Sequence, residues 1–266
     1  MKITQLFLSS LILFFVATLQ PNEAQAFLGG VTKGALGPLS KKGMVLAEDE
    51  IIKLARMIRG PGDVTKVKKI IGEMKLSSEA IEDTYVRIAI QRGNLRREEA
   101  ETMFKNLRGV DGFSSTMSKI LGVGSGMNRG HLNELRIASA AADRGFKVEG
   151  IGIKYSDGIK KSPTDLDILI SKNGKKFPIE AKDYDDINLT SLSNTMRPDM
   201  DSLVAYRRMA SSPNAVHPVF TVTHQPSDPS VLKLMQREAS KRGIELVYGS
   251  PDEQLIQLEQ LLKIVN

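Results

Sequence analysis

The chain contains no cysteine and only three histidines in 266 residues. Without thiols it can form neither a disulfide nor a thiolate metal site, and it offers no cysteine nucleophile and no N-terminal cysteine for lipid attachment. Three scattered histidines give no support for a Ser-His-Asp triad, so protease and esterase functions are set aside. Packing must stabilise the fold, and a metal site would have to use oxygen ligands.

Long apolar runs are also missing, with one exception near the N-terminus. The uncharged stretch Leu6 to Leu19 follows Lys2 and is shorter than the roughly 20 residues that span a bilayer. The small-residue pattern Ala24-Gln25-Ala26 comes next. We therefore expect a signal peptide over residues 1–26 and an exported protein, periplasmic or secreted, with no stable membrane span after cleavage; a permanent anchor is the alternative.

The composition is that of a folded, mildly basic protein. Hydrophobic residues make up 41% and charged residues 26% of the chain, which argues against extensive disorder and multiple membrane spans. Of the net charge of +6, most lies in residues 27–129, with 18 Lys and Arg against 12 Asp and Glu; residues 130–266 have 18 of each. A basic excess favours phosphate backbones, but also solubility and anionic membranes.

Periodicity and glycine content divide the chain into two units. A flexible lead-in precedes four amphipathic helical patterns, and a glycine-containing stretch ends in GVGSG. We interpret that stretch as a hinge; a phosphate-binding loop is the alternative. A protein partner could bind through the helical unit. The predicted organisation is a signal peptide (1–26), a lead-in (27–43), a helical domain (44–108), a linker (109–129) and an α/β domain (130–266).

Strands and helices alternate in the second unit, which predicts a mixed α/β sheet covered on both faces. The Asn-Gly dipeptide at Asn173 predicts a tight hairpin between two strands. The order is α-β-β-β-α-β followed by α-β-α. Helices are expected at 131–144, 199–210, 230–242 and 253–264, and strands at 147–153, 165–171, 176–181, 218–223 and 244–247.

Three charged residues on the hairpin strands form the most informative pattern. Because side chains alternate along a strand, Glu180 and Lys182 share one face while Ala181 points to the other. The hairpin can bring Asp167 beside Glu180, so that two carboxylates share one cation. Such hard oxygen ligands suit Mg²⁺ or Mn²⁺, which would act as a Lewis acid on a phosphodiester while Lys182 orients the attacking water.

These residues resemble the PD-(D/E)XK, or restriction-endonuclease-like, nuclease superfamily. Its αβββαβ core carries an Asp on the second strand and Glu-x-Lys on the third, and the match covers about residues 130–223. The resemblance implies a restriction-endonuclease-like α/β fold preceded by a small all-α unit, and a Mg²⁺-dependent nuclease acting on nucleic acid, DNA in preference to RNA. It also implies that Asp167, Glu180 and the backbone carbonyl of Ala181 hold the metal.

The resemblance points to a fourth catalytic residue and leaves one assignment open. In the family an acidic residue on the first core helix assists the metal site, and Glu134 occupies that place. The family's Pro-Asp pair is absent here, where Pro163-Thr164-Asp165-Leu166-Asp167 offers two aspartates. We assign the metal ligand to Asp167 because a hydrophobic run follows it, and keep Asp165 as a substrate-binding alternative.

Three more residues are candidates for binding substrate. His131 lies three residues before Glu134, on the same helix face and near the helix N-terminus, where it could contact phosphate; a capping or surface role is the alternative. Arg207 and Arg208 lie on the helix from which the family reaches DNA phosphates; a solvated helix face is the alternative. The leading hypothesis is an exported nuclease, against a non-catalytic nucleic-acid-binding module or a secreted interaction protein.

Overall fold

The computed structural model describes residues 45–122, 125–156 and 164–264. The expected signal peptide and lead-in lie outside these ranges. No helix in the described part of the chain is long and apolar enough to cross a membrane. The described chain begins with helices α1 (Glu48–Met57), α2 (Pro61–Glu73), α3 (Ser78–Gln91), α4 (Arg97–Leu107), α5 (Phe113–Ile120) and α6 (Ser125–Asp143).

The predicted linker over 109–129 is wrong for most of its described length. Residues 113–120 form α5, and α6 begins at Ser125, six residues before the expected start at His131. Phe113, Met117 and Ile120 are fully buried, and their spacing of four and three residues is that of one helix face. The glycines on either side of this short apolar stripe had led to its interpretation as a linker.

The helical part and one face of the sheet share a hydrophobic core. This cluster of buried side chains runs from Leu46, just before α1, to Leu262 near the end of α9. At its edge Ile151 of the sheet donates its N–H to the Asp111 carbonyl, 2.9 Å away. Gly112 has φ of +82°, and a Cβ there would lie 1.7 Å from the Ile151 carbonyl oxygen. Only glycine allows this approach. Because buried side chains from both parts pack together, the boundary predicted from the sequence does not separate two cores.

The second half forms an α/β layer structure around a five-stranded mixed sheet. Its strands lie in the order β1 to β5; β1, β2 and β3 pair antiparallel, and β3, β4 and β5 pair parallel. These elements agree with the predicted order. The bounds are β1 (Lys147–Tyr155), β2 (Thr164–Lys172), β3 (Lys175–Lys182), α7 (Arg197–Met209), β4 (Val219–Val222), α8 (Pro229–Arg242), β5 (Glu245–Tyr248) and α9 (Pro251–Ile264).

The predicted hairpin between β2 and β3 is confirmed. Asn173 and Gly174 both have positive φ, 54° and 73°, as a two-residue type I′ turn requires. The turn closes on the pair Lys172 and Lys175. This register determines which side chains face one another at the other end of the two strands.

Helices cover both faces of the sheet and separate alternate residues of β3. Phe177, Ile179 and Ala181 pack into the core that contains α6 and α9. The opposite face, which contains Phe220 and Val222 of β4, packs against α7 and α8. Glu180 and Lys182 therefore lie on the α7 side and Ala181 on the α6 side, as period-two alternation predicts.

The segment before α7 differs from its prediction. No helix was expected between the strand at 176–181 and the helix at 199–210, but Leu189–Ser191 forms a helical turn and Leu192–Met196 a π-helical turn that continues into α7. Leu192 and Met196 are fully buried. Their burial anchors a segment whose polar composition had suggested a loop.

Candidate active site

The candidate site lies where β2 and β3 separate, at the end opposite the hairpin turn. The recorded pairing of the two strands ends at Ile168 and Ile179. One step further in the same register places Asp167 opposite Glu180. The expectation that the hairpin brings these carboxylates to one place therefore agrees with the observed register.

Asp167 replaces a backbone partner at the point where the ladder ends. Its Oδ2 accepts a hydrogen bond of 2.8 Å from the backbone N–H of Ala181. The carboxylate thus ties the end of β3 to β2 through a side chain. The preceding aspartate on the strand, Asp165, is exposed, and its charge adds to the raised pKa of Asp167. Asp167 is the aspartate that bonds to the end of β3.

Lys182 is held between two carboxylates. Its Nζ donates to Glu180 Oε1 at 2.6 Å and lies 2.8 Å from Asp199 Oδ2 on α7. The Lys182 and Glu180 side chains are 18% and 8% exposed, so solvent screens the pair weakly. The ammonium is fixed beside the carboxylates, where it could act on a bound anion or water.

Two residues of α6 complete the cluster. Glu134 is buried and lies near enough to Asp167 to repel its negative charge. The Nδ1 of His131 lies 2.9 Å from Glu134 Oε1. The predicted sharing of one helix face by these two residues is confirmed, and it places an imidazole at the rim of the site.

Burial raises the pKa of the Asp167 carboxyl to about 7, and repulsion from Glu134 adds to the effect, while Lys182 and the Ala181 N–H oppose it. Burial also raises the pKa of Glu180 well above its ordinary value, with repulsion from Asp167 as the next cause. For Lys182, burial favours the neutral amine, but attraction to Glu180, Asp167 and Asp199 overcomes it and raises the pKa. One lysine therefore leaves the carboxylates short of positive charge.

An ion-pair group outside the cluster fixes α6 against the end of β3. Arg129 donates to both oxygens of Asp183, at 2.6 and 2.9 Å, and also contacts Asp185 at 2.6 Å. Thr223 at the end of β4 donates to Asp183 at 2.8 Å. Because Asp183 directly follows Lys182, these bonds hold the helix that carries Glu134 beside the strand that carries Glu180.

The structure does not bring the two arginines of α7 to the cluster. Arg207 lies eight residues, or about 12 Å of helix, beyond Asp199. Its guanidinium donates to the carbonyls of Gly243 and Arg242 at 3.0 and 2.8 Å, which caps the end of α8. Arg207 therefore has a structural contact at the end of α8, and Arg208 is exposed beside it.

The two arginines form a matched pair for mutation. Because Arg207 satisfies two helix-end carbonyls, Arg207→Ala is expected to lower the free energy of unfolding by about 1–2 kcal/mol. Arg208→Ala should change it by less than about 0.5 kcal/mol, since its side chain is exposed. Urea unfolding of the two variants measures this difference, and equal stabilities would contradict the capping role.

The cluster matches the donor chemistry of a hard divalent cation but not yet its geometry. Among residues 45–122, 125–156 and 164–264, no three His, Asp or Glu side chains are arranged to hold a metal as they stand. In this arrangement Glu180 accepts a hydrogen bond from Lys182, and Asp167 accepts one from the Ala181 N–H. Oxygen ligands with raised pKa values still favour an added positive charge, so Asp167, Glu180 and the Ala181 carbonyl remain the ligand candidates.

Sequence reasoning missed Asp199 and Arg129. Asp199 was predicted only as the start of a helix, and nothing in its local sequence shows that α7 passes Lys182. Arg129 was assigned to the linker. The role of each residue depends on packing between elements that are distant in the sequence. The local sequence showed only that each is a charged residue near the start of a helix.

Comparison with other proteins gives little context. No protein-family model and no curated protein matches the chain. Among solved structures it is similar to a crystal structure described as that of protein of unknown function AF1548, with 15% identity and a TM-score of 0.30. The match covers 45% of this chain and 56% of that one, so the chain spans little more than half of its length. Neither a family nor a function follows from this likeness.

Proposed function

We propose that the chain is an exported, metal-dependent nuclease of the restriction-endonuclease-like type that hydrolyses phosphodiester bonds, with DNA as the preferred substrate. The observation that carries the proposal is the placement of Asp167, Glu180 and Lys182 together where β2 and β3 separate. The three residues came from a short sequence pattern that resembles the PD-(D/E)XK superfamily. Export follows from the expected signal peptide over residues 1–26.

The charge balance of the cluster supports metal binding. Burial and mutual repulsion raise the pKa values of both Asp167 and Glu180. A divalent cation would relieve that repulsion, and Mg²⁺ or Mn²⁺ prefers such carboxylate and carbonyl oxygens with several retained waters. When bound, the ion would supply Lewis acidity at a phosphodiester oxygen and a more acidic water.

Each protein residue has a separate task in this mechanism. Asp167 and Glu180 would hold the cation at the strand ends. Lys182 would place a positive charge beside the scissile phosphate and orient the attacking water. Asp199, 2.8 Å from Lys182 Nζ, would keep that ammonium in the site if Glu180 held the cation. Glu134 and His131 can receive or relay a proton at the α6 side, their separation of 2.9 Å being a hydrogen-bond distance.

Cleavage of defined substrates tests the proposal. The protein is incubated with supercoiled plasmid, linear DNA and RNA in Mg²⁺, in Mn²⁺ and in EDTA, and products are resolved on gels. We expect cutting with either ion, none with EDTA, and faster cutting of DNA than of RNA. A folded protein that binds these polymers but cuts none would establish the non-catalytic binding module instead, and one that does neither would favour an interaction protein.

Metal binding has a readout that needs no substrate. Because a cation relieves the repulsion between Asp167 and Glu180, we expect 5 mM Mg²⁺ or Mn²⁺ to raise the melting temperature of the wild type by about 2–5 °C. The increase should be absent in Asp167→Asn and in Glu180→Gln, and it should persist in the control Asp165→Asn, whose side chain is exposed. Differential scanning fluorimetry measures it, and equal shifts in all four proteins would contradict specific binding.

A further inference from the structure

Helix α8 has a net positive charge within a neutral half of the chain. Residues 130–266 contain 18 basic and 18 acidic residues, whereas α8 has four basic residues and one acidic residue. The remainder of that half has 14 basic and 17 acidic residues. A helix with this excess presents a local positive surface that the net charge of the half does not reveal.

Three of these cations form a continuous exposed stripe. Lys233, Arg237 and Lys241 are spaced by four residues, so they lie on one face of α8. All three are exposed, with Arg237 and Lys241 side chains 62% and 60% accessible. At 1.5 Å per residue the stripe is about 12 Å long, a length that faces several phosphates of a nucleic-acid strand.

The acid on α8 lies beneath the cations and does not interrupt the stripe. Glu238 is only 11% exposed and accepts a hydrogen bond of 2.8 Å from Arg242. Arg237 and Lys241 lie at 3.9 and 3.7 Å from it, at the limit of an ion pair. Their amine and guanidinium groups thus retain most of their exposure to solvent.

The stripe is connected to the candidate active site through α7. Arg197 Nε lies 3.6 Å from Glu238, and Arg197 precedes Asp199 by two residues. Asp199 in turn lies 2.8 Å from the Nζ of Lys182. The contact between Glu238 and Arg197 therefore joins α8 to the start of α7, the same helix whose Asp199 reaches Lys182.

We infer that Lys233, Arg237 and Lys241 on α8 bind the phosphate backbone of a nucleic-acid strand and lead it towards Lys182. The inference rests on the proposed function and adds to it the surface that holds the substrate. The exposed positive charge of the stripe, complementary to phosphate, identifies a polyanionic strand as the occupant. The contacts are to backbone phosphates, so this surface carries no base specificity.

Salt-dependent binding of the full chain tests the inference without any cleavage. A fluorescent 20-nucleotide DNA is titrated in EDTA at several NaCl concentrations by anisotropy, with wild type and with Lys233→Gln, Arg237→Gln, Lys241→Gln combined. Three lost phosphate contacts should weaken binding about 100-fold at 0.1 M salt and reduce the slope of log K against log salt by about 2–3. Melting temperature shows that the exposed substitutions leave the fold intact.

The matched control removes three lysines from another helix. Lys66→Gln, Lys68→Gln, Lys69→Gln on α2 takes three equally exposed charges from the basic N-terminal part, and it should change affinity by less than about threefold. An equal loss in both triple variants, a loss in the α2 variant alone, or no DNA binding by the wild type would overturn the inference. So would α8-dependent binding to vesicles of phosphatidylserine without DNA binding, since the occupant would then be a membrane surface.

Failure of the inference and failure of the proposed function give different results. If α8 binds DNA but the wild type never cleaves, the binding surface stands and the nuclease proposal fails. If the wild type cleaves and the α8 variant binds and cleaves equally well, the nuclease proposal stands and the surface is wrong.

Discussion

Replacing Lys182 with alanine is expected to lower the rate of metal-dependent DNA cleavage by about 100- to 1,000-fold, the effect of losing one preorganised charge from a site of this kind. Lys182 Nζ lies both beside Glu180, at 2.6 Å, and beside Asp199, at 2.8 Å. Single-turnover cleavage with excess protein measures the chemical step directly. Asp49→Asn, which alters an exposed aspartate on α1, should cleave within about twofold of wild type.

Loss of activity in Lys182→Ala must be separated from loss of folding. Removing one partner of a buried ion pair leaves Glu180 uncompensated and typically lowers the free energy of unfolding by about 3–5 kcal/mol. The double variant Lys182→Ala, Glu180→Gln removes both charges and should recover most of that stability while staying inactive. A stable double variant that cleaves at the wild-type rate would show that the two residues are not catalytic.

The second large effect is a gain in stability from disabling the site. Asp167→Asn keeps an oxygen that can accept the Ala181 N–H but removes a carboxylate whose pKa is raised to about 7, chiefly by burial. At pH 8 without metal, the melting temperature of this variant should exceed that of wild type by about 5 °C, while cleavage is lost.

The pH dependence of this gain follows from proton binding. The folded Asp167 carboxyl keeps its proton up to about pH 7, whereas the unfolded one loses it near its ordinary pKa of 3.8. Between these values the folded state binds more protons, so the wild type becomes less stable as the pH rises through this window. The advantage of Asp167→Asn should therefore be largest at pH 8 and fall to about 40% of that value at pH 5, since most of the window lies above pH 5. Thermal melts at both values measure it, with a smaller change of the same sign expected for Asp165→Asn, whose charge also raises that pKa.

Much of the fold could be predicted because local signals were strong. Asn173-Gly174 requires the positive φ values of a tight hairpin, and that hairpin determines that Asp167 and Glu180 meet. Alternation on β3 correctly separated Glu180 and Lys182 from Ala181. These predictions rested on backbone geometry that neighbouring residues determine.

Predictions failed where distant packing decides the structure. The glycines around α5 suggested a linker, but the burial of Phe113 and Met117 against the rest of the core stabilises a helix there. Arg207 was expected to face a ligand, and it caps α8 instead because the Gly243 carbonyl lies within its reach. Asp199 could not be recognised, since its contact with Lys182 joins two elements 17 residues apart in the chain.

The raised pKa values of Asp167 and Glu180 describe the electrostatics of the site independently of any resemblance to a family. Folding places two carboxylates where burial and repulsion disfavour their charge, and one lysine compensates only in part. Strained electrostatics of this kind concentrate at functional sites, where a ligand or substrate supplies the missing charge. The buried carboxylates of the cluster therefore lower the stability of the fold, and they are also the oxygen ligands that a divalent cation prefers.

The most direct measurement is a time course of supercoiled plasmid cleavage in Mg²⁺ by wild type and Glu180→Gln at equal concentration, with EDTA as a third condition. Glu180→Gln retains an oxygen for Lys182 but removes the carboxylate that the cation needs. The nuclease account predicts nicked and linear products from wild type alone, and none in EDTA. Equal cleavage by both proteins, or no cleavage by folded wild type in Mg²⁺ and Mn²⁺, would contradict it.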